Sequence, residues 1–174
     1  GNAALNGLRG IAANRNPASP YFGWVYVANS VTNTTIAAGS RGDGVFAFSA
    51  DIGSATSDIL GQGNAPKTGG YGFIGSSSPY HISVAPDDSV LVTDWSDANG
   101  NLISMDPLLT SFSYVLKPIE SNGSGGFAAA PVSSNNVHGS IISACIVGTG
   151  ASRVLYTADE DYQTDPSQGG PTEW

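Results

Sequence analysis

Short runs of alternating apolar and polar residues, separated by turn residues, extend along most of the chain. The clearest example is PYHISVAPDDSVLVTDWSDANGNLISMDP, from Pro79 to Pro107. The stretch begins with an apolar run and a Pro-Asp-Asp turn. A β-branched run ending at Asp94 comes next, and an alternating run ending at Asp106 follows it closely. Alternation with a period of two between turn residues is typical of β-strands. The pattern predicts three adjacent strands joined by tight turns.

The same order of elements recurs along the chain. An apolar strand, a turn and a β-branched or aromatic strand occur in GLRGIAANRNPASPYFGWVYVANS from Gly7, SPYHISVAPDDSVLVTDWS from Ser78 and NVHGSIISACIVGTGASRVLYTADED from Asn136. Matching Val25, Val90 and Val154 places the three segments 65 and 64 residues apart (90 − 25 and 154 − 90). Nearly equal steps indicate an internal repeat.

The first two segments continue into a third strand that ends at an aspartate, in GVFAFSAD (Gly44 to Asp51) and GNLISMD (Gly100 to Asp106). SFSYVL (Ser111 to Leu116) predicts a fourth strand, whereas the third segment reaches residue 174 before a third strand is expected. Gly and Pro interrupt every helical window. We therefore predict one all-β domain, residues 1–174, with repeat units at 5–59, 78–116 and 136–174, the last incomplete.

Two of these segments carry a family resemblance. PYHISVAPDDSVLVTDW…NLISMD and RGIAANRNPASPYFGWVYVANS…GVFAFSAD resemble the repeat of NHL-type and gluconolactonase-type β-propellers, a likeness that covers residues 5–59, 78–116 and 136–162. The resemblance implies a β-propeller-like array of small antiparallel sheets, or blades, that stack their apolar faces. Propellers have roughly four to eight blades. The chain would therefore be a segment of a larger propeller, a ring completed by other copies, or an open array.

The composition favours a secreted protein, extracellular or at the cell surface. Charged residues make up 11% of the chain, against roughly 25% in an average soluble domain, and there are 23 Gly and 10 Pro. The net charge of −8 with only six Lys and Arg disfavours a nucleic-acid partner or an anionic membrane surface. No apolar run approaches the roughly 20 residues that cross a bilayer, so membrane insertion is not expected.

The reactive side chains are few. Cys145 is the only cysteine and lies in the apolar run SIISACIV, which predicts a small buried thiol and rules out an internal disulfide. His81 and His138 carry no sequence signature that links them to Cys145. The sequence also lacks a Gly-x-Ser-x-Gly elbow, a His-Glu-x-x-His motif and a phosphate-binding loop.

Two acidic or amide-rich stretches are candidate Ca²⁺ sites. In DANGN, Asp97 and Asn99 place oxygen-bearing side chains at alternate positions beside a glycine, as in a loop around a hard cation. The alternative is a plain turn between strands. TADEDYQTD gathers Asp159, Glu160, Asp161 and Asp165, which form either a Ca²⁺ site or a solvated acidic loop.

The resemblance adds a further metal hypothesis. In gluconolactonase-like propellers a metal lies in the central channel, held by Glu, Asn and Asp from different blades. Asn29 and Asp94 occupy matching strand ends in this chain, with Asp159 nearby in the third unit. The alternative is that these residues end their strands by bonding to nearby backbone.

Three short motifs are compatible with a surface outside the cell. Asn33 and Asn122 begin Asn-x-Ser/Thr sequons and are candidate glycosylation sites. Arg41-Gly42-Asp43 is compatible with an integrin-binding turn or with an ordinary hairpin tip.

The sequence therefore leaves three functional hypotheses. The first is an extracellular, non-catalytic binding or structural assembly protein, with a protein or glycan partner or copies of itself. The second is a metal-dependent hydrolase of the gluconolactonase type. The third is a subunit of an extracellular polymer, because sheet edges left by an incomplete ring invite pairing with another copy.

Overall fold

A computed structural model of the chain describes residues 7–30, 43–50, 59–60, 69–73, 78–94, 101–116, 141–159 and 170–173. In this part of the chain the fold is all-β, as predicted, and consists of three small antiparallel sheets. The only helical element in these ranges is a single 3-10 turn at Gly150–Ser152. No helix in the described ranges is long and apolar enough to span a membrane.

Each sheet is a meander of consecutive strands. Sheet 1 contains β1 (Leu8–Ala13), β2 (Val25–Asn29), β3 (Gly44–Phe48) and β4 (Ile59–Leu60). Sheet 2 contains β5 (Ile82–Val84), β6 (Val90–Thr93), β7 (Leu102–Met105) and β8 (Phe112–Leu116). Sheet 3 contains β9 (Ile141–Val147), β10 (Val154–Asp159) and β11 (Gly170–Glu173).

One strand contradicts the sequence prediction. The third unit was expected to end before a third strand, but β11 pairs antiparallel with β10, with Pro171 opposite Ala158. Gly-Gly-Pro-Thr reads as a turn, because proline cannot donate a ladder hydrogen bond. Proline is nevertheless tolerated on an edge strand, and β11 is at the edge of sheet 3.

The apolar faces of successive sheets pack against each other in two cores. The first core joins Tyr26, Ala28, Val45 and Ala47 of sheet 1 to the sheet 2 side chains Ile82, Val90, Val92, Ile103 and Met105. The second joins Leu91 and Leu102, on the opposite face of sheet 2, to Ala144, Ile146 and Leu155 of sheet 3. Sheet 2 is thus covered on both faces, which is why every residue of β6 is buried.

The first strands of the three sheets lie side by side along the stack, β1 against β5 and β5 against β9. A glycine makes the first approach possible, because a Cβ on Gly10 would lie 2.9 Å from the main-chain oxygen of Tyr80. Between β5 and β9, the Ser83 hydroxyl donates a hydrogen bond of 2.7 Å to the main-chain oxygen of Ala144.

Cys145 is exposed, so the prediction of a buried thiol is wrong. The apolar run SIISACIV forms β9, whose side chains alternate between two faces. Ala144 and Ile146 face sheet 2, and Cys145 lies on the opposite face of sheet 3. A continuous apolar run therefore does not imply that both faces of the strand are covered.

The same alternation shifts the match between the repeat units by one residue. Val90 faces sheet 1, the preceding sheet, whereas in β10 it is Leu155 that packs toward the preceding sheet, and Val154 alternates with it. Matching Leu155 rather than Val154 to Val90 makes both steps 65 residues long (90 − 25 and 155 − 90).

Candidate functional site

Asp94 lies at the end of β6 and is fully buried in a network of hydroxyl and amide groups. The Tyr71 hydroxyl donates a hydrogen bond to Asp94 Oδ2, and the Ser78 hydroxyl donates one to Oδ1. The main-chain N–H of Asp94 donates to the main-chain oxygen of Asn101 at 2.8 Å, which extends the ladder between β6 and β7. Both carboxylate oxygens therefore accept hydrogen bonds from residues far away in sequence.

Tyr71 connects this network to the first core. Its ring makes edge-to-face contacts with Phe73 and Phe112, with centroids 4.8 and 5.1 Å apart. Asn101 Nδ2 donates to the Tyr71 hydroxyl at 2.6 Å. Burial, and then the nearby charge of Asp94, raise the pKa of Tyr71 far above its ordinary value. The hydroxyl thus stays protonated and can donate to Asp94 over the usual pH range.

One polar atom of the network is left over. Asn101 is 5% exposed, and its Oδ1 is buried with no hydrogen-bond partner within the described ranges. A buried carbonyl oxygen without a donor is destabilising, by about 1–3 kcal/mol. Such an atom is satisfied by a water molecule or by another donor.

Asn29 occupies the corresponding position in sheet 1 but has a different partner. Its Oδ1 accepts a hydrogen bond of 3.0 Å from the main-chain N–H of Gly7. Asn29 follows Ala28, which faces sheet 2, so it projects from the other face of sheet 1. Asp94 lies on the side of sheet 2 that faces sheet 1, next to Tyr71 of the first core. The end of sheet 1 therefore lies between Asn29 and Asp94.

The third candidate, Asp159, is the last residue of β10, where its backbone pairs with Gly170 and Ile141. With the corrected match it falls 65 residues after Asp94, which itself falls 65 after Asn29 (159 − 94 and 94 − 29). The other site predictions lie outside the described residues: Asp97, Asn99, the sequons at Asn33 and Asn122, Arg41 and Gly42 of the Arg-Gly-Asp triplet, His138, Glu160, Asp161 and Asp165.

The described donors do not assemble a metal site. Within these ranges no three His, Cys, Asp or Glu side chains are grouped so that they could hold one ion. The two carboxylate oxygens of Asp94 already accept hydroxyl hydrogen bonds, and Asn29 Oδ1 accepts one from a main-chain N–H. Asp94 thus bonds to side-chain hydroxyls and Asn29 to a distant main-chain N–H, and the metal hypothesis for these residues stays a prediction.

A second polar cluster joins sheets 1 and 2 at the opposite end of the strands. Asp88, in the β5–β6 turn, accepts hydrogen bonds from Ser19 Oγ at 2.7 Å and from Asn14 Nδ2 at 2.9 Å. Asn16 Nδ2 adds a longer one at 3.4 Å. All three donors belong to the β1–β2 loop, and Asn14 is only 1% exposed. We call Asp88 with these three residues the Asp88 clamp.

The same turn also contacts sheet 3. Asp87 pairs with Arg153, which follows the 3-10 turn between β9 and β10, at 3.1 Å. Both partners are about half exposed, at 47% and 51%. The β1–β2 loop, the β5–β6 turn and the β9–β10 connection therefore meet at one end of the stack, which we call the turn end. The ends of β2, β6 and β10 lie at the opposite end, which we call the loop end.

Sequence reasoning missed both networks. Asp88 appeared only as part of a Pro-Asp-Asp turn, and no sequence signal connects it to Asn14, 74 residues earlier. Tyr71 lies in the segment between β4 and β5, where no sequence motif marks it.

His81 is the only described imidazole. Burial lowers its pKa, and its Nδ1 is 3.5 Å from Ser143 Oγ. At that separation the two groups do not form the short hydrogen bond of a nucleophile activated by a base.

In comparisons with known proteins, no family model and no curated protein matches the chain. The likeness to propeller repeats thus stays a prediction from the sequence.

Proposed function

We propose that the chain is a propeller-like array of blades that acts outside the cell as a non-catalytic binding or structural assembly protein. The observation that supports this most directly is the state of Asp94. Its carboxylate is completely buried and accepts hydrogen bonds from Tyr71 and Ser78, which supports a structural role at the end of β6.

Two further described carboxylates, those of Asp88 and Asp106, also have structural partners. Asp88 holds sheet 1 to sheet 2. Asp106 accepts hydrogen bonds from the main-chain N–H groups of Leu108, Thr110 and Ser111 and thereby orders the β7–β8 turn. In a chain with few charges, these contacts are compatible with a scaffold whose surface is neutral and polar.

The binding surface that we propose is the loop end. The strand ends that define it are followed in the sequence by segments 31–42, 95–100 and 160–169, which lie outside the described residues. Loops held by a rigid scaffold are where binding residues concentrate. Their Asn, Ser, Thr and Asp side chains suit hydrogen bonding to a protein or a glycan, which are the partners we propose.

The equal spacing of Asn29, Asp94 and Asp159 favours the competing hypothesis of a metal-dependent hydrolase. Three oxygen-bearing residues recur at the loop end, and the unpartnered Asn101 Oδ1 lies beside one of them. A divalent ion there would compete with Tyr71 and Ser78 for the carboxylate oxygens of Asp94.

Calorimetric titration of the wild-type protein with Ca²⁺, Mg²⁺ and Zn²⁺, together with an assay of lactone hydrolysis, separates the two hypotheses. We expect no stoichiometric ion binding that depends on Asp94 and no ion-dependent turnover. Asp94→Asn should lower the melting temperature, while Asp87→Asn, at the turn end, serves as a charge-matched control. Ion binding and turnover in the wild type that are lost in Asp94→Asn and kept in Asp87→Asn would establish the hydrolase instead.

A further inference from the structure

His81 immediately precedes β5 and lies between sheets 2 and 3. The next residue, Ile82, packs in the first core against sheet 1, so His81 and Ser83 face the opposite way, toward β9. The Ser83 hydroxyl donates to the main-chain oxygen of Ala144, and Ser143 Oγ is 3.5 Å from His81 Nδ1. We call this line of contacts between β5 and β9 the His81 seam.

The main chain of His81 is held from two sides at the loop end. Its N–H donates to Thr93 Oγ1 at 2.9 Å, and the N–H of Thr93 donates to the main-chain oxygen of His81 at 2.9 Å. On the other side lies Gly10 of β1, where an added Cβ would be 3.2 Å from the Cα of His81. A backbone shift that moved the imidazole out of the seam would therefore break contacts to β1 and β6.

The strands around the seam offer a charged imidazole no partner of opposite sign. β1, β6 and β9 pack against β5, with a smaller contact from β2. β2, β6 and β9 contain no charged residue. β1 contributes only Arg9, an exposed residue whose guanidinium lies 5.9 Å from the centre of the Tyr80 ring and has the same sign as an imidazolium.

The other titratable groups near these strands face away from the seam. Asp94, which follows β6, lies on the side of sheet 2 that faces sheet 1, where it is bound by Tyr71 and Ser78. Tyr26 of β2 packs in the first core, and Cys145 of β9 lies on the outer face of sheet 3. In the described part of the chain, Ser143 thus has the only side-chain hydroxyl near the ring nitrogens. Burial accordingly lowers the pKa of His81, because it disfavours the charged form.

The seam belongs to the smaller of the two joints between sheets. Among the described residues, the second core has four buried side chains, whereas the first has eleven. At the turn end, the contact to sheet 3 is the exposed ion pair of Asp87 and Arg153, and exposed pairs contribute little to stability. The joint to sheet 1 has the Asp88 clamp instead. A charge placed in the seam therefore acts on the more weakly held sheet.

We propose that His81 makes the joint between sheets 2 and 3 acid-sensitive: the neutral imidazole fits the seam beside Ser143, and the protonated imidazole favours separation of sheet 3 from sheet 2. This inference goes beyond the proposed function, since it holds whether or not the loop end binds a partner.

The direction of the pH effect follows from the burial of the imidazole. The unfolded chain binds the proton more readily than the folded one, because the folded-state pKa is lowered. The stabilisation is therefore complete above the unfolded-state pKa of 6.5 and is lost as the pH falls through that value toward the lower folded-state pKa.

An NMR titration of the imidazole resonances tests the first step. The chain has two histidines, so the variant His138→Asn leaves a single imidazole and identifies the signal of His81. We expect His81 in the folded protein to titrate below 6.5. A folded-state pKa of 6.5 or higher would overturn the inference.

Thermal melts between about pH 7.5 and 5.5 test the link to stability, because this window surrounds the ordinary imidazole pKa. Although burial acts against it, hydrogen bonds lower the pKa of Asp87 and of Asp106, so neither carboxyl titrates in this window. We expect the melting temperature of the wild type to fall by at least about 2 °C on acidification. The fall should persist in His138→Asn and be absent from His81→Asn, which keeps a polar group near β9 but does not titrate.

A structural control separates titration from packing. Ser83→Ala removes the hydrogen bond to Ala144 without touching the imidazole, so it should lower the melting temperature at both pH values and keep the acid-dependent fall. An equal fall in the wild type and in His81→Asn would assign the pH dependence to another group and overturn the inference.

Thiol labelling locates the opening. Ala144 is 3% exposed in the second core, so Ala144→Cys combined with Cys145→Ser places the only thiol between sheets 2 and 3. The exposed Cys145 of the wild type is the reference for the pH dependence of the reagent, a dipyridyl disulfide. We expect the ratio of the two labelling rates to rise about threefold or more between pH 7.5 and 5.5, and to stay constant when His81→Asn is added to both proteins. A constant ratio with His81 present would exclude opening at this joint.

Discussion

The Asp88 clamp provides the sharpest test of how the sheets are held together. Asp88→Gly deletes the carboxylate that accepts hydrogen bonds from Ser19 and Asn14. Glycine is the suitable replacement because Asp88 has a φ of 70°, a conformation that alanine adopts only with strain. The substitution therefore measures the loss of the Asp88 side chain without adding backbone strain.

The expected loss follows from the geometry. A hydrogen bond to a charged group contributes about 1.5–3 kcal/mol, and two short ones are removed. Since Asp88 is only half-buried, the lower end of that range applies, which gives a total of about 3 kcal/mol. For a chain of this size the melting temperature should fall by about 6–12 °C. The neighbouring Asp87→Ala, which breaks an exposed ion pair, should cost less than about 1 kcal/mol.

Urea unfolding followed by tryptophan fluorescence and far-ultraviolet circular dichroism measures both free energies. Trp24 is a suitable reporter because it closes the β1–β2 loop that the clamp holds: its main-chain oxygen accepts a 2.8 Å hydrogen bond from the main-chain N–H of Asn14. Equal losses for Asp88→Gly and Asp87→Ala, both below about 1 kcal/mol, would refute the idea that the clamp joins the sheets.

Three further changes test other contacts. Gly10→Ala places a Cβ 2.9 Å from the main-chain oxygen of Tyr80 and should lower the unfolding free energy in urea titrations by about 1–3 kcal/mol. The control Gly72→Ala, whose Cβ would have nothing within 4 Å, should change it by less than about 0.5 kcal/mol. Burial raises the pKa of Asp106, but hydrogen bonds from Ser111 and Thr110 outweigh this effect and lower the pKa. The stabilisation from Asp106 is therefore present above the unfolded-state pKa near 4 and is lost as the pH falls through the folded-state value. The stability difference between the wild type and Asp106→Asn should shrink on acidification, and a constant difference would contradict this. Burial and Asp94 raise the pKa of Tyr71, so its stabilisation should be lost as the pH rises above the unfolded-state pKa near 10, and Tyr71→Phe should show a weaker alkaline loss in thermal melts.

The strands were predictable because their signal is local. The β-branched run of β6 and the alternation in β7 and β8 depend on neighbouring residues and on burial of one or both faces. The exposure of Cys145 was not predictable, because it depends on whether another sheet covers the outer face of β9. The partners of Asp94 were also hidden, since Tyr71 and Asn101 come from segments on either side of β5 and β6 and meet only after the sheets have stacked.

The third repeat unit shows how sequence and structure correct each other. Matching valine residues alone gave unequal steps between the repeat units, because the sequence does not show which face of β10 Val154 lies on. Packing of Leu155 against sheet 2 fixes the face and makes the steps equal. Only then do Tyr26 and Tyr156 become equivalent, one buried by the next sheet and one exposed.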